Sequence, residues 1–506
     1  MSSSLNAPSL KASSSSTSAF TALSWAVAAL LGAVLAACGL PFAWSFLTPL
    51  PLSALLALIA AAPSPRAGAG RAFFGGLAFF TLHLLWLPQS FGSQGAFGTF
   101  GVVMYLPVFA LEGLFLAAMA YLALRLARAW WARLWLLALG WVLLDWLRSL
   151  GPLSFPWGTL GYTLLPLPIA QVADLGGVLL LSLLVTLMAA SLALAARRRA
   201  GPLLLVLLAW GGAAVYGLTR PDYGGQPGRA LLVRTSLNSF AKAQGASLLG
   251  ATLDLSRRAR QGEVAVWSET TVGAYTAADL ASQLPRRPIL TGVRFLGVPN
   301  TNSAVAWDGQ VRGRYDKVKL VPFGEYSPLS GALRPLYDWV YERFLHYPFE
   351  TIEAGRVSDS LLLNGRHYGV YICYDSVYGG IAAALVRHGA RVLVNVSNDG
   401  WFGESVGVAQ HFQMGRLRAI ETRRFVLRGV NDGIAAVIDP YGKVTQRFDG
   451  PGTGVVHARF AFRDGLTPYV RFGDLPIVLA CLLGILGVTA AARRAKVTPA
   501  LRRRVR

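Results

Sequence analysis

The sequence predicts a polytopic α-helical membrane protein of about eight spans that carries a water-soluble α/β domain. Of its 506 residues, 54% are hydrophobic and only 14% are charged, which is too apolar for an ordinary soluble protein. Acidic residues are almost absent from residues 20–219 and 474–492, whereas residues 221–473 carry most of them. The chain therefore divides into a membrane part and one domain of ordinary soluble composition.

The membrane part is predicted from apolar stretches, most of them long enough to cross about 30 Å of hydrocarbon as helices. The stretches lie at residues 20–40, 45–62, 72–88, 101–124, 130–150, 170–196, 202–219 and 474–492. The second stretch contains Pro49 and Pro51, which makes its ends the least well defined. Residues 1–19 are rich in Ser and Ala and are predicted to be disordered.

The placement of arginine predicts the orientation in the membrane, because basic residues favour cytoplasmic loops. With the N terminus inside, the basic residues of the inside loops are Arg66, Arg71, Arg125, Arg128, Arg133, Arg197, Arg198 and Arg199. The outside loops contain almost none apart from Arg148, and the tail at residues 493–506 is again basic. This bias places residues 220–473 outside the cytoplasm and the tail inside.

The formal net charge of +22 does not indicate nucleic-acid binding. Its arginines lie in short clusters between apolar stretches, and no basic patch is interleaved with aromatic residues. The six histidines are scattered without metal-ligand spacing, so the sequence predicts no metal site and no cofactor. Of the three cysteines, Cys38 and Cys481 lie in apolar stretches, and only Cys373 lies outside them.

The soluble domain alternates short, β-rich apolar runs with helical patterns, which indicates an α/β layered fold. The predicted strands are Ala230–Val233, Val264–Trp267, Tyr368–Ile372, Val392–Val396 and Ile434–Ile438. Three of these runs end in polar residues, namely Glu269, Cys373 and the segment 397–399. Because ligands bind at the carboxyl ends of strands in such folds, these residues are candidates for a site.

Each candidate also has an ordinary structural interpretation. Cys373 could be a nucleophile or a small apolar residue of the core. Glu269 could be a general base or a solvated loop residue, and Lys317 could be a buried ammonium or surface charge. Together a carboxylate, an ammonium and a thiol would support acyl transfer, since the first accepts the thiol proton and the second stabilises an oxyanion. Spacing alone leaves open whether the three side chains meet.

Several motifs occur in the order in which a known family has them. They are Tyr315-Asp316-Lys317, Leu320-Val321-Pro322-Phe323-Gly324-Glu325, Ile372-Cys373-Tyr374-Asp375 and Ser397-Asn398-Asp399-Gly400-Trp401-Phe402-Gly403. The set resembles the Glu-Lys-Cys nitrilase superfamily, whose members are carbon-nitrogen hydrolases. With spans on both sides it resembles the membrane-bound apolipoprotein N-acyltransferase family within it. The resemblance covers nearly the whole chain.

The resemblance implies a four-layer αββα sandwich on an eight-helix membrane base. It also implies a triad in which Cys373 is the nucleophile, Glu269 the general base and Lys317 the oxyanion stabiliser. Glu325 resembles a second glutamate that supports the lysine. The resemblance also assigns Tyr374 and Asp375 to the site, where they would shape it beside the thiol. Trp401 and Phe402, with the segment Tyr341–Tyr347, could form apolar arms over the entrance or be ordinary interfacial aromatics.

The same resemblance implies the substrates and the location. The acyl donor would be the sn-1 chain of a phospholipid, and the acceptor the α-amine of an S-diacylglyceryl-cysteine on an apolipoprotein. The reaction would pass through a thioester on Cys373. The protein would be a monomer in the bacterial inner membrane, with membrane lipid around it and the catalytic domain, residues 220–473, on the periplasmic face.

Two alternatives and three departures from the family pattern accompany this interpretation. The alternatives are a membrane-tethered nitrilase-type amidohydrolase and a transporter or scaffold with an inert domain. A transporter usually has ionisable residues within its spans, and here they are few, which argues against that alternative. They are Glu112, Asp145, Arg148 and Asp174. The departures are Trp267-Ser268-Glu269-Thr270 for Trp-Pro-Glu-Ser, Asp375 for a common glutamate, and Val233-Arg234-Thr235-Ser236 for Val-Gln-Gly-Asn.

Overall fold

The computed structural model describes residues 13–88, 98–221, 224–237, 246–297, 299–340, 342–343, 352–357 and 359–504. Within them, the long apolar helices come first and last in the chain, and the strands lie between Gln226 and Phe462. The order of elements therefore follows the division that the distribution of acidic residues predicts.

Eight long helices make up the membrane part of the described residues. They are α1 (Ser13–Ala37), α2 (Pro49–Ala60), α3 (Pro65–His83), α4 (Gly98–Leu126), α5 (Trp130–Leu147), α6 (Ala173–Ala195), α7 (Gly201–Leu218) and the last helix of the chain, α14 (Leu475–Arg504). Five segments are long and apolar enough to cross a membrane: Phe20–Ala37, Tyr105–Leu126, Pro168–Ala195, Gly201–Leu218 and Leu475–Ala495. The polytopic helical class is confirmed, and the count of eight spans stays a prediction.

Small residues let the membrane helices approach closely. A Cβ on Gly32 of α1 would lie 1.9 Å from the carbonyl oxygen of Gly75 on α3, so only glycine fits this crossing. Helix α6 is kinked where Gly177 adopts a φ of +64°. There the ring of Tyr469, from the segment just before the last helix, would lie 2.4 Å from a Cβ. The first contact packs α1 on α3, and the second packs the segment before the last helix on α6.

The α/β domain contains thirteen strands within the described residues. They are β1 (Gln226–Thr235), β2 (Val264–Val266), β3 (Val272–Ala274), β4 (Ile289–Phe295), β5 (Thr301–Trp307), β6 (Val311–Asp316), β7 (Leu361–Leu363), β8 (Arg366–Ile372), β9 (Val392–Asn398), β10 (Val426–Asn431), β11 (Ala435–Ile438), β12 (Val444–Phe448) and β13 (Gly454–Phe462). The helices between the strands are α8 (Leu249–Ser256), α9 (Ala277–Gln283), α10 (Ser330–Val340), α11 (Gly379–Arg387) and α12 (Val406–Thr422), and α13 (Pro468–Phe472) follows β13.

The strands form two halves that meet at β1 and β10. One half runs β6-β5-β4-β2-β1-β13, and the other runs β7-β8-β9-β10-β11-β12. Strands β2, β1, β10, β9 and β8 are parallel to their neighbours in this order. The carboxyl ends of these five strands therefore lie along one edge, where ligands bind in folds of this kind.

Alternating side chains explain the four layers. On β1, Leu231 packs with Leu255 of α8 and Leu280 of α9 in one apolar cluster. The next residue, Leu232, packs in a second cluster that includes Val394 of the other half. Successive side chains of a strand point to opposite faces of the sheet. One face of this half is therefore covered by helices, and the other packs against the second half. Helices α11 and α12 contact β8 and β10 from outside, so the αββα expectation is confirmed.

Candidate active site

Three parallel strands bring the predicted polar residues to one edge of the sheet. Glu269 follows β2, Cys373 follows β8, and Asn398 is the last residue of β9. The backbone N–H of Glu269 donates to the carbonyl of Ser397 at 3.4 Å, and Sγ of Cys373 lies 4.0 Å from the carbonyl oxygen of Asn398. The sequence prediction that these strand ends form one site is consistent with this geometry.

The backbone is strained at the thiol and at the carboxylate. Cys373 has a φ of +46° directly after β8, and Thr270, next to Glu269, also has a φ of +46°. A non-glycine residue is uncommon in this left-handed region, and a β-branched one such as Thr270 is an outlier. Such strain persists where the surrounding structure holds it, and it concentrates at functional sites.

Lys317 lies at the centre of the site and is buried. Its Nζ donates to Oε1 of Glu325 at 2.8 Å and to Oε1 of Glu269 at 3.1 Å. The side-chain amide of Asn302 donates to the same two oxygens, at 2.7 Å for Glu269 and 3.0 Å for Glu325. The second oxygen of Glu325 accepts from the backbone N–H of Val321 at 2.9 Å. The structure thus joins three predicted residues in one hydrogen-bonded group.

Burial and charge set the protonation state of the site. Burial alone would lower the pKa of Lys317, but the carboxylates of Glu269 and Glu325 outweigh it and raise that pKa well above its usual value. Burial, followed by the charge of Glu269, raises the pKa of the Cys373 thiol, which Lys317 partly opposes. At neutral pH the site therefore holds an ammonium and a protonated thiol. A nucleophilic thiolate then requires a base to accept the proton.

Asp375 braces the segment around the thiol by accepting hydrogen bonds from three donors. Its Oδ2 accepts from the hydroxyl of Tyr315 at 2.8 Å and from the N–H of Ile372 at 3.1 Å, and its Oδ1 accepts from the N–H of Lys319 at 2.8 Å. Burial raises its pKa to about 6, although Lys317 and these hydrogen bonds act in the opposite direction. Asp375 links the segment of Lys317 to the residue before Cys373.

Tyr374 connects the thiol segment to the membrane part. Its hydroxyl donates to the carbonyl of Ser154 at 3.0 Å, and its ring stacks on Trp157 with centroids 6.1 Å apart. Both partners lie in the loop between α5 and α6. The residue directly after the thiol therefore contacts the membrane helices through one loop.

Two family models match this chain. Residues 31–191 match the apolipoprotein N-acyltransferase N-terminal domain, and residues 290–462 match carbon-nitrogen hydrolase. An apolipoprotein N-acyltransferase of Azotobacter vinelandii is 34% identical over 505 residues, which cover 92% of this chain and 94% of the relative. The chain belongs to the apolipoprotein N-acyltransferase family. It is therefore an enzyme of that acyltransferase family and a membrane protein.

Further relatives agree with this assignment. An apolipoprotein N-acyltransferase of Chromobacterium violaceum is 32% identical over 495 residues, covering 90% of this chain and 91% of the relative. Among solved structures, Nit3 of Saccharomyces cerevisiae, a member of the nitrilase superfamily, is 17% identical and covers 48% of this chain and 93% of its own. Its TM-score of 0.35 is too low to support a structural comparison.

The two aromatic residues predicted beside the entrance differ in their surroundings. Phe402 packs against Trp86 of the membrane part, with ring centroids 4.9 Å apart, and against His411 at 5.3 Å. Trp401 is 37% exposed. In the Tyr341–Tyr347 segment, Tyr341 and residues 344–347 lie outside the described residues. An arm-like motion of these aromatics stays a prediction for this member of the apolipoprotein N-acyltransferase family.

Sequence reasoning gave no role to Asn302, which lies on β5 and holds the two glutamates together. It also missed a buried network behind the thiol, although Asp399 belongs to a motif that carried the resemblance. Nδ1 of His411 lies 3.0 Å from Asp399, and its Nε2 lies 3.2 Å from the carbonyl oxygen of Cys373. Arg428 pairs with the other oxygen of Asp399 at 2.5 Å. The alternation of the polar residues Asn395, Ser397 and Asp399 along and just after β9 is the signal that could have indicated this network.

Cys373, Asp399 and His411 are also residue types that bind metal ions, and their ligand atoms lie within 4.8 Å of one another. Both nitrogens of His411, however, already have partners, since its Nε2 also lies 3.0 Å from the hydroxyl of Ser376. Burial alone would raise the pKa of Asp399, but the charge of Arg428 and several hydrogen bonds outweigh it and lower that pKa. These contacts fit a hydrogen-bonded support for the nucleophile better than a set of metal ligands.

Proposed function

We propose that this protein transfers a fatty acyl chain from the sn-1 position of a phospholipid to the α-amine of the S-diacylglyceryl-cysteine of an apolipoprotein. One observation carries the proposal. A buried ammonium, that of Lys317, is held between Glu269 and Glu325 beside the thiol of Cys373. Membership of the apolipoprotein N-acyltransferase family supports a phospholipid donor and an apolipoprotein acceptor.

In the first half-reaction, Glu269 accepts the thiol proton of Cys373 as Sγ attacks the ester carbonyl of the phospholipid. The carbonyl becomes an oxyanion, which the ammonium of Lys317 stabilises in a site from which water is largely excluded. When the intermediate collapses, the C–O bond to glycerol breaks, and the leaving alkoxide takes the proton back from Glu269. The products are a thioester on Cys373 and a lysophospholipid.

In the second half-reaction, the α-amine of the lipoprotein attacks the thioester carbonyl. Lys317 again stabilises the oxyanion, and Glu269 accepts the proton that the amine loses as the C–N bond forms. The C–S bond then breaks, and Sγ of Cys373 regains its proton. The acceptor leaves as an N-acylated lipoprotein, and the enzyme returns to its starting state.

The arrangement of the chain supports lipid-anchored substrates. We assign residues 20–219 and 474–492 to the membrane domain and residues 220–473 to the catalytic domain. Residues 1–12 of the N-terminal segment lie outside the described residues, residues 13–19 belong to α1, and residues 493–506 are assigned to the basic tail. The arginine bias supports an inner-membrane protein whose catalytic domain lies on the periplasmic face and whose tail is cytoplasmic. We assign a monomer, because one chain supplies Glu269, Lys317, Cys373 and Glu325.

A second candidate is a membrane-tethered nitrilase-type hydrolase, in which water attacks the thioester. The same triad would serve both reactions, so the acceptor decides between them. The match of residues 31–191 to the acyltransferase N-terminal domain favours the transferase.

The test uses purified protein, phospholipid vesicles and a synthetic diacylated lipopeptide with a free α-amine. We expect the lipopeptide to gain one fatty acyl chain as an amide, with one lysophospholipid released per chain transferred. Cys373→Ala should abolish both products. Free fatty acid at the same rate with and without the lipopeptide would instead identify a hydrolase, and N-acylation by Cys373→Ala would contradict the thioester route.

A further inference from the structure

A cluster of buried charges lies at the end of the membrane helices nearest to the thiol segment. Nε of Arg148 pairs with Oε2 of Glu112 on α4 at 2.6 Å, and Nη1 lies 3.6 Å from Oδ1 of Asp145 on α5. The side chains of all three residues are at most 5% exposed. Burial of ionisable residues within a membrane protein costs free energy, and the residues that occur there usually have a function. None of the three takes part in the proposed acyl transfer.

Arg148 also holds the loop that follows its own helix. Its Nη2 donates to the carbonyl of Phe155 at 3.2 Å and to that of Trp157, while its own carbonyl accepts from the N–H of Phe155 at 2.8 Å. The fixed fork of a guanidinium can bind a carboxylate and backbone carbonyls at the same time, which a lysine ammonium cannot do with the same geometry. The loop is therefore fastened to Arg148 on both sides of residue 156.

Asp145 fastens the far end of the same loop. Its Oδ2 accepts from the hydroxyl of Ser182 on α6 at 2.9 Å and from the N–H of Leu160 at 3.3 Å. The cluster thus joins α4, α5 and α6 to residues 155–160. Each of these helices supplies a bond to the loop, to Arg148 or to Asp145.

The other side of the loop contacts the catalytic domain directly beside the nucleophile. The carbonyl of Ser154 accepts from the hydroxyls of Tyr374 at 3.0 Å and Tyr378 at 3.1 Å. The indole N–H of Trp157 donates to Oε1 of Gln410 on α12 at 2.8 Å, and its ring stacks on Tyr374. Residues 154–157 therefore support Tyr374 from the membrane side, and Tyr374 directly follows Cys373 in the chain.

Stability alone is a weak explanation for such a cluster. A buried ion pair can often be replaced by apolar residues of similar size without loss of stability, since desolvation offsets the attraction between the charges. What apolar side chains cannot reproduce is a bond to each of two backbone carbonyls of one loop. The contacts of Arg148 are therefore better explained by the position they impose on residues 154–157.

We propose that Arg148 is a positioning residue for thioester formation, which acts through residues 154–157 on Tyr374 and so on the approach of the phospholipid ester to Sγ of Cys373. Glu112 and Asp145 orient its guanidinium. The inference rests on the proposed function, because it concerns the first half-reaction. It adds a residue of the membrane part to a reaction whose chemical groups all belong to the α/β domain.

The test compares two reactions of the same thiol in purified full-length protein. One is thioester formation on Cys373 from phospholipid in mixed micelles, and the other is alkylation of Cys373 by iodoacetamide, which is small and does not need the loop. For Arg148→Gln we expect thioester formation to fall about 100-fold, the size of effect that a misplacement of about 1 Å produces. We expect alkylation to stay unchanged, because Lys317 and Glu269 are untouched. Arg148→Lys should lie between wild type and Arg148→Gln.

Arg133 provides a matched control at the opposite end of α5. It too binds backbone carbonyls from within the membrane part, those of Ala60 at 3.0 Å, Ala62 at 2.9 Å and Ala127 at 3.1 Å. Arg133→Gln removes the same kind of contact without touching residues 154–157. We expect it to leave the ratio of thioester formation to alkylation at the wild-type value.

If Arg148→Gln yields too little folded protein, Glu112→Gln gives the same comparison, since it keeps an acceptor for Arg148 but removes the charge. A smaller fall in thioester formation with unchanged alkylation would support the proposal. Equal falls in both reactions, or the same fall in Arg133→Gln, would overturn it in favour of a purely structural role. Absence of acyl label on wild-type Cys373 would instead overturn the proposed function itself.

Discussion

Lys317 is bonded more closely to Glu325 than to Glu269, with Nζ 2.8 Å from Oε1 of the first and 3.1 Å from Oε1 of the second. Asn302 donates to the same two oxygens. Two carboxylates therefore share one ammonium and one amide in a buried site. The ammonium of Lys317 is therefore held by two carboxylates, and its position beside the thiol depends on both.

The first prediction concerns Glu325. In Glu325→Gln the lysine loses one charged partner and moves towards Glu269, which misplaces the oxyanion stabiliser. We expect single-turnover thioester formation to fall by about 10- to 100-fold, the upper value being that of a misplacement of about 1 Å. Glu263→Gln is the control, because Glu263 is also buried but lies before β2 and contacts His457 at 3.0 Å. An unchanged rate in Glu325→Gln would contradict a supporting role.

The second prediction concerns the pH dependence of the thiol. Burial and the charge of Glu269 raise the pKa of Cys373 above its usual value of 9.0, while the charge of Lys317 lowers it. The rate of alkylation by iodoacetamide should therefore still rise with pH above 9 in wild type, as the thiolate fraction grows. The midpoint should move down in Glu269→Gln and up in Lys317→Met. Midpoints that move in the opposite directions would contradict this account of the site's electrostatics.

The third prediction concerns Asp375, whose pKa rises from 3.8 to about 6 on burial. The folded state then binds a proton more tightly than the unfolded state, so this residue reduces stability progressively as pH rises from about 4 to 6. Two pKa units correspond to about 3 kcal/mol. Asp375→Asn lacks this titration, although its amide nitrogen replaces one of the two accepting oxygens and cannot accept the hydrogen bonds made there.

The measurement is the thermal unfolding midpoint of both proteins at several pH values between 4 and 7. We expect the stability of Asp375→Asn relative to wild type to improve as pH rises to 6 and then to level off. A difference that is independent of pH would show that Asp375 is not protonated in this range.

The fourth prediction concerns orientation in the membrane. Gln310 is exposed in the turn between β5 and β6, and Arg198 is exposed between α6 and α7. In intact cells, a membrane-impermeant maleimide should label Gln310→Cys but should label Arg198→Cys only after lysis. The wild-type protein, whose Cys373 and Cys481 are buried, gives the background. Labelling of Arg198→Cys in intact cells would contradict a periplasmic catalytic domain.

The sequence was most informative where local pattern and topology coincide. Runs such as Tyr368–Ile372 and Val392–Val396 predict strands, and the structure has β8 and β9 there. Because parallel strands end at one edge, the polar residues after them lie along the same edge of the sheet. Cys373 and Asn398 are neighbours there because β8 pairs with β9.

Contacts between residues far apart in the chain could not be predicted in the same way. Asn302 lies on β5, a strand that the pattern did not indicate, and only the pairing of β5 with β4 and β6 brings it to Glu269. Ser154 and Tyr374 are separated by 220 residues and by the boundary between two parts of the chain. A hydrogen bond of this kind depends on how the domain docks on the membrane helices, which no local pattern encodes.

The central claim is that Cys373 carries the acyl chain, and the most direct measurement is the mass of the peptide that contains it. Purified protein is incubated with a phospholipid of defined sn-1 chain, without acceptor, and digested. We predict that the Cys373 peptide gains the mass of that acyl chain and loses it on treatment with hydroxylamine, as a thioester does. A peptide of unmodified mass, while transfer to a lipopeptide proceeds in the same preparation, would contradict the account.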